Sequence, residues 1–167
     1  MNGAEEDLKE IKGRRDRALQ GLVASMPYAA WLGIRFDRRG DELTAVLPFG
    51  DRIIGNPFVP ALHGGATAAF LEVAAVVELG WSLMWDDMEE GRIAPDAALP
   101  DSLPRMPKTI DFTIDYLRPG LLRDSYARAR VVRSGRRYAS VQVEAWQDHR
   151  DRPYSQATGH FLLPSGF

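Results

Sequence analysis

The longest apolar stretch of the chain, ALHGGATAAFLEVAAVVELG over residues 61 to 80, leaves almost no polar stripe, with Glu72 standing in its middle. Ala68, Phe70, Leu71, Val73, Ala75, Val77 and Leu79 crowd every side of a helix predicted from residue 65 to about 85. A helix apolar all round is buried all round, and a curved sheet wrapped about it is one way to bury it in a domain of this size. The rest of the chain supplies that sheet. In KTIDFTIDYLRPG, Ile110, Phe112, Ile114 and Tyr116 alternate strictly with Asp111, Thr113 and Asp115, the period of a half-buried strand. GIRFDRRGDELTAVLPF predicts two strands about a turn at Arg38–Asp41. DSYARARVVR and RRYASVQVEAWQ form a second hairpin about Ser134–Gly135, and PYSQATGHFLLP a last strand.

Ahead of this alternation, Leu8, Ile11, Ala18, Leu22 and Val23 recur near helical spacing and predict an amphipathic helix over residues 5 to 24. Its basic cluster, Lys12, Arg14, Arg15 and Arg17, reads as a solvated face. DRIIGNPFVP, rich in turn formers, reads as a loop that delivers the chain to His63. Residues 86 to 107 hold four prolines and no periodicity. They form a connection of about 20 residues, either a lid or a plain surface insertion. The expected order is helix, two strands, buried helix and four strands: an N-terminal helical extension over residues 1–28, then one α+β domain over 29–167.

Composition narrows the chemistry. The chain has 167 residues, 45% of them apolar, with 21 basic and 23 acidic side chains and a net charge of −2. No global positive field is available for nucleic acid or an anionic membrane. The sequence contains no cysteine, which removes disulfides, thiol nucleophiles and thiolate zinc sites, and suits a reducing, cytoplasmic setting. The N-terminus is too charged for a signal peptide and no uninterrupted apolar run reaches about 18 residues, so no membrane association is expected. There is no G-x-S-x-G elbow and no phosphate-cradling P-loop. His149 and His160 have no matching ligands, and no metal or cofactor is expected.

A polar amide at Asn56, then His63-Gly64-Gly65, then an acid nine positions after the histidine at Glu72, followed by TIDFTIDYLRPG and the VVRSGRRYASVQVEAWQ hairpin, together resemble the hotdog-fold acyl-CoA thioesterases of the phenylacetic-acid-degradation type. The similarity spans roughly residues 30 to 163. It implies a curved antiparallel sheet around a central helix and hydrolysis of an acyl-CoA thioester, in a homodimer or a dimer of such dimers. Many relatives carry Asp where this chain has Glu72, and a branch acting on aromatic acyl-CoA has Glu.

The residues suit that reaction. A thioester carbonyl developing negative charge needs donors, and backbone N–H groups at a helix start supply them. Gly64 and Gly65 would allow the carbonyl close, although a tight strand-to-helix turn would use the same glycines. Glu72 would act as general base or as nucleophile; the bland alternative is a carboxylate tied to an arginine or reaching solvent. Gly65 and Glu72 are seven positions apart, about 10 Å along a helix axis, so one carbonyl meets both only if two helices pair around a twofold axis.

Thr109 matches a family hydroxyl that holds the attacking water, or is an ordinary strand residue. His63 either contacts the acyl carbonyl or orients the turn, and Asn56 either positions water or shapes a turn. Arg118, and Arg133, Arg136 and Arg137 about the Ser134–Gly135 turn, are candidates for the CoA phosphates. The alternative function is a non-catalytic acyl-CoA-binding module of the same fold.

Overall fold

The computed structural model describes residues 2–89 and 106–164, with side chains from 9 to 85 and from 106 to 164. Helix α1 (Asn2–Ala24) and a one-turn-and-a-half helix α2 (Pro27–Leu32) precede strands β1 (Arg35–Arg39) and β2 (Glu42–Leu47). A short 3₁₀ turn (Asp51–Ile53) leads into β3 (Ile54–Asn56) and β4 (Val59–Leu62), then the long helix α3 (Gly64–Glu89). Strands β5 (Lys108–Tyr116), β6 (Ser125–Ser134), β7 (Tyr138–Trp146) and β8 (Ser155–Leu162) complete the chain.

Six strands form one antiparallel sheet in the order β1-β2-β6-β7-β8-β5, and β3 pairs with β4 separately. Its inner face carries Leu43, Ala45 and Leu47 from β2, and Ala127, Ala139, Val141, Val143 and Ala145 from β6 and β7, all buried. So many small residues let the sheet approach the helix closely, and Phe70, Leu71, Ala75, Val77 and Leu79 of α3 are fully covered. By length and hydropathy alone the segment Gly64–Trp85 could cross a bilayer; here 61% of its most apolar window lies inside the fold, as a sheathed core helix does.

Helix α1 closes the remaining side. Ala18, Leu19 and Leu22 are buried, Leu22 packs on Gly80 of α3, and the Arg15 guanidinium stacks 3.7 Å from the Trp85 ring centre. Arg38, almost wholly buried, pairs with Asp16 at 2.8 Å and fastens α1 to β1. The basic face read as merely solvated therefore contributes Arg15 to packing. Phe70, Trp81 and Trp85 serve this core and the α1 contact.

Four features differ from the reading of the sequence. Helix α2 and the β3–β4 hairpin occupy stretches too short for periodicity to register. Helix α3 runs on to Glu89, so the expected connection begins later; residues 90–105, on which a lid would fall, lie outside the described residues. The strict alternation of β5 is broken by a bulge. Thr109 pairs with Phe161 and Asp111 with His160, leaving Ile110 as the extra residue.

Candidate active site

That bulge aims the candidate hydroxyl. Unbroken alternation would put Thr109 on the outer face with Asp111 and Thr113; with Ile110 inserted, Thr109 turns inward beside Phe161, and Ile110 is 58% exposed. The Thr109 hydroxyl donates to Glu72 Oε1 at 2.7 Å. Glu72 sits two turns into α3 and is partly buried within the protomer. The carboxylate is not tied to an arginine: it is only partly covered and takes the Thr109 hydroxyl as its partner.

The turn before α3 is closed by His63. Its Nδ1 accepts the Gly65 N–H at 2.9 Å, and its carbonyl accepts the Thr67 N–H at 3.0 Å, so this histidine caps the helix. A Cβ on Gly65 would stand 3.0 Å from the imidazole, so a larger residue there requires the His63 ring to shift off the Gly65 amide. Tyr116, at the end of β5, donates its hydroxyl to the Gly64 carbonyl at 2.8 Å. Among the described residues no side chain caps the Gly64 or Ala66 amides. Of the two glycines, then, Gly65 presents an amide already engaged by imidazole.

Asn56 ends β3, and its Oδ1 accepts the Phe58 N–H at 2.9 Å in a local turn about Pro57. The structure does not bring it to Glu72. The four arginines separate as well. Arg133, Arg136 and Arg137 flank the β6–β7 turn, at the sheet end where Thr109 and Leu162 lie. Arg118 lies beyond Tyr116 at the opposite end, about 27 Å away along a nine-residue strand. Its guanidinium donates to the carbonyls of Arg152 and, at 2.8 Å, Pro153, so most of its donors hold the β7–β8 loop.

One ionisable group escapes the sequence reading. Glu78 is the second carboxylate of the apolar run, six positions after Glu72. Burial pushes its pKa up to about 7, with the positive charge of Arg128 pulling the other way. The signal was present in the sequence, as an acid flanked by Val77 and Leu79. His160 on the outer face bonds Asp111 at 3.2 Å and stacks on Tyr138, and no group of metal-ligating side chains occurs among the described residues.

The chain matches the family model described as the acyl-CoA thioesterase N-terminal domain over residues 56–162. It is 32% identical over 145 residues to a protein of Salmonella typhimurium named medium/long-chain acyl-CoA thioesterase YigI, covering 85% of this chain and 88% of that one. The Escherichia coli protein of that name is 33% identical over 125 residues, covering 74% of this chain and 77% of that one. A crystal structure from Chromobacterium violaceum superposes with a TM-score of 0.62 at 31% identity, covering 96% and 99% of the two chains. A Ralstonia eutropha protein titled a putative thioesterase related to phenylacetic acid degradation shares the fold at 22% identity, with a TM-score of 0.64 and coverage of 89% and 98%. With the HGG turn, the sheathed helix and its inward Thr109–Glu72 pair already in view, these matches establish that the chain belongs to the hotdog-fold acyl-CoA thioesterase family, enzymes that hydrolyse acyl-CoA thioesters.

Proposed function

We propose that this enzyme hydrolyses its acyl-CoA thioester at a site shared by two copies of the chain, with Glu72 as general base. The observation that carries the reading is the 2.7 Å bond from the Thr109 hydroxyl to Glu72. A hydroxyl that donates to one carboxylate oxygen keeps lone pairs for a water O–H, while the other oxygen is free to accept a water proton. Water between them is oriented for attack on the thioester carbon. The developing oxyanion then needs main-chain donors, and those of Gly64 and Gly65 suit it. Because His63 Nδ1 engages the Gly65 N–H at rest, the incoming carbonyl displaces the imidazole from that amide.

About 10 Å of helix separates Gly65 from Glu72 in one chain. A twofold axis at β5 removes the difficulty. This strand is an edge of the sheet, and Ile110 and Tyr116 along it and Leu117 just beyond it are 58%, 55% and 51% exposed. An apolar, unpaired edge invites pairing with another strand, and antiparallel pairing of two β5 strands brings the Thr109 end of one copy beside the Tyr116 end of the other. The same pairing assembles Arg118 of one copy with the Arg133, Arg136 and Arg137 turn of the other, a spread of cations suited to an extended CoA tail. A dimer of such dimers, a cytoplasmic location and independence from nucleic acid and membrane complete the reading. The names of the Salmonella and Escherichia relatives, at 32–33% identity, favour a medium- to long-chain acyl group.

Hydrolysis of acyl-CoA esters of graded length by the native protein and Glu72→Gln tests the assignment. Turnover is expected to rise with chain length into the medium range and to fall about 10²-fold or more in the variant. Equal activity in both removes Glu72 from the mechanism. A single turnover in ¹⁸O water is expected to label the acid product and leave Glu72 unlabelled; label in the carboxylate would assign it as nucleophile.

A further inference from the structure

Tyr116 closes β5 in the phase of Phe112 and Ile114, two residues packed against the core. Its main chain is held on both flanks. Tyr116 pairs with Ser155 of β8, the Ser155 hydroxyl donates to the Asp115 carbonyl at 3.0 Å, and the Leu117 N–H donates to the Tyr154 carbonyl at 3.0 Å. From this fixed point the ring lies along the start of α3, where a Cβ on Gly64 would stand 3.4 Å from its Oη and 3.5 Å from Cε1 and Cζ. The hydroxyl donates to the Gly64 carbonyl at 2.8 Å.

That carbonyl and the Gly65 N–H belong to one peptide group. The group is planar and trans, so its oxygen and its N–H point in opposite directions, and whatever fixes one fixes the other. At rest both ends are bonded: the oxygen accepts from Tyr116, and the N–H donates to His63 Nδ1 at 2.9 Å. A carbonyl has two lone pairs, so it takes the phenol without leaving the helix's own ladder. A donor on the oxygen also polarises the peptide and makes the N–H on its far side a stronger donor. Among the described residues these two side chains alone bond this peptide. Once a thioester carbonyl replaces the imidazole, Tyr116 is the one that still holds it.

We propose that Tyr116 is a positioning residue for thioester hydrolysis: its hydroxyl holds and polarises the Gly64–Gly65 peptide, so that the Gly65 N–H keeps its aim when His63 gives way to the substrate carbonyl. The inference rests on the reading that this amide meets the thioester oxyanion. A weakened or misdirected donor costs transition-state stabilisation more than substrate binding, because charge develops on that oxygen only during attack. Tyr116→Phe removes one hydroxyl from a ring that is 55% exposed and keeps the apolar β5 edge. It is expected to lower kcat about 5- to 20-fold with KM within about 2-fold of native, while circular dichroism and sedimentation match the native protein. The ¹³C signal of the Gly64 carbonyl should move upfield in the free variant, as a carbonyl losing a hydrogen bond does. Placing 4-aminophenylalanine at position 116, which returns an N–H donor to the same point, should recover most of the lost kcat.

Native kcat in Tyr116→Phe while Gly65→Val is inactive overturns the positioning role and leaves the reading of the amide standing. Native kcat in both variants sinks the reading of the amide, and the proposal with it. A raised KM with kcat unchanged would make Tyr116 a substrate contact instead. An unmoved Gly64 carbonyl signal, or a 4-aminophenylalanine variant as slow as Tyr116→Phe, likewise overturns the proposed bond.

Discussion

At the scale of single residues, the two carboxylates of the apolar run of α3, Glu72 and Glu78, stand in different surroundings. Glu72 reaches Thr109, whereas Glu78 lies in the desolvated interior with a pKa of about 7 against an ordinary 4.5. The native state therefore holds the Glu78 proton more tightly than the unfolded chain does. Stability contributed by this group is fully present below about pH 4.5, falls as pH rises through the window to about 7, and stays low above it. Glu78→Gln is expected to stabilise the protein by about 1 to 2 kcal/mol at pH 8, after discounting its partial exposure, and to change little at pH 4. Denaturant titrations at the two pH values check this, and a variant no more stable at pH 8 than the native chain refutes it. The role of His63 as cap of Gly65 was one of the two alternatives visible in the sequence. Which nitrogen faces which amide was not, because that is set by the path of β4 into the turn.

At the scale of elements, the period-two pattern located every strand of the main sheet and misjudged one orientation. KTIDFTIDY reads as uninterrupted alternation because Ile110 fits the apolar phase as well as Phe112 and Ile114 do. Only its partner β8 shows that Ile110 is surplus to the pairing. Deleting Ile110 is expected to restore regular pairing while leaving Thr109 opposite Phe161 on the inner face, since the pairs on either side of the bulge are unchanged. Secondary structure and most of kcat should then be kept, whereas Thr109→Val should lower kcat about tenfold; a deletion as slow as Thr109→Val would show that pairing with Phe161 does not by itself aim the hydroxyl. Helix α2 and the β3–β4 hairpin escaped notice for a different reason. Elements of three to six residues carry too few positions for either period to stand out.

At the scale of the whole molecule, the proposed shared site predicts that a second copy pairs across the exposed β5 edge. Mixing and reannealing Glu72→Gln with Gly65→Val, each inactive alone, is expected to recover about a quarter of native activity. Half of the dimers are then mixed, and one of their two shared sites holds an intact Gly65 and an intact Glu72. A site contained within one chain would recover nothing. Charging the edge with Ile110→Lys and Leu117→Lys should give monomers by sedimentation with loss of turnover; active monomers would dismiss the shared site.

By itself the sequence determined the buried helix, the number and order of main-sheet strands, the HGG turn and the acid nine positions on, since these follow from local periodicity and spacing. The tertiary structure alone decided which face Thr109 presents, which of two acids is desolvated, and that Arg118 and the Arg133–Arg137 turn lie at opposite ends of the sheet. Each depends on pairing between segments far apart in the chain. A one-residue offset in that pairing reverses the face of a side chain without altering the apolar pattern that encodes the strand.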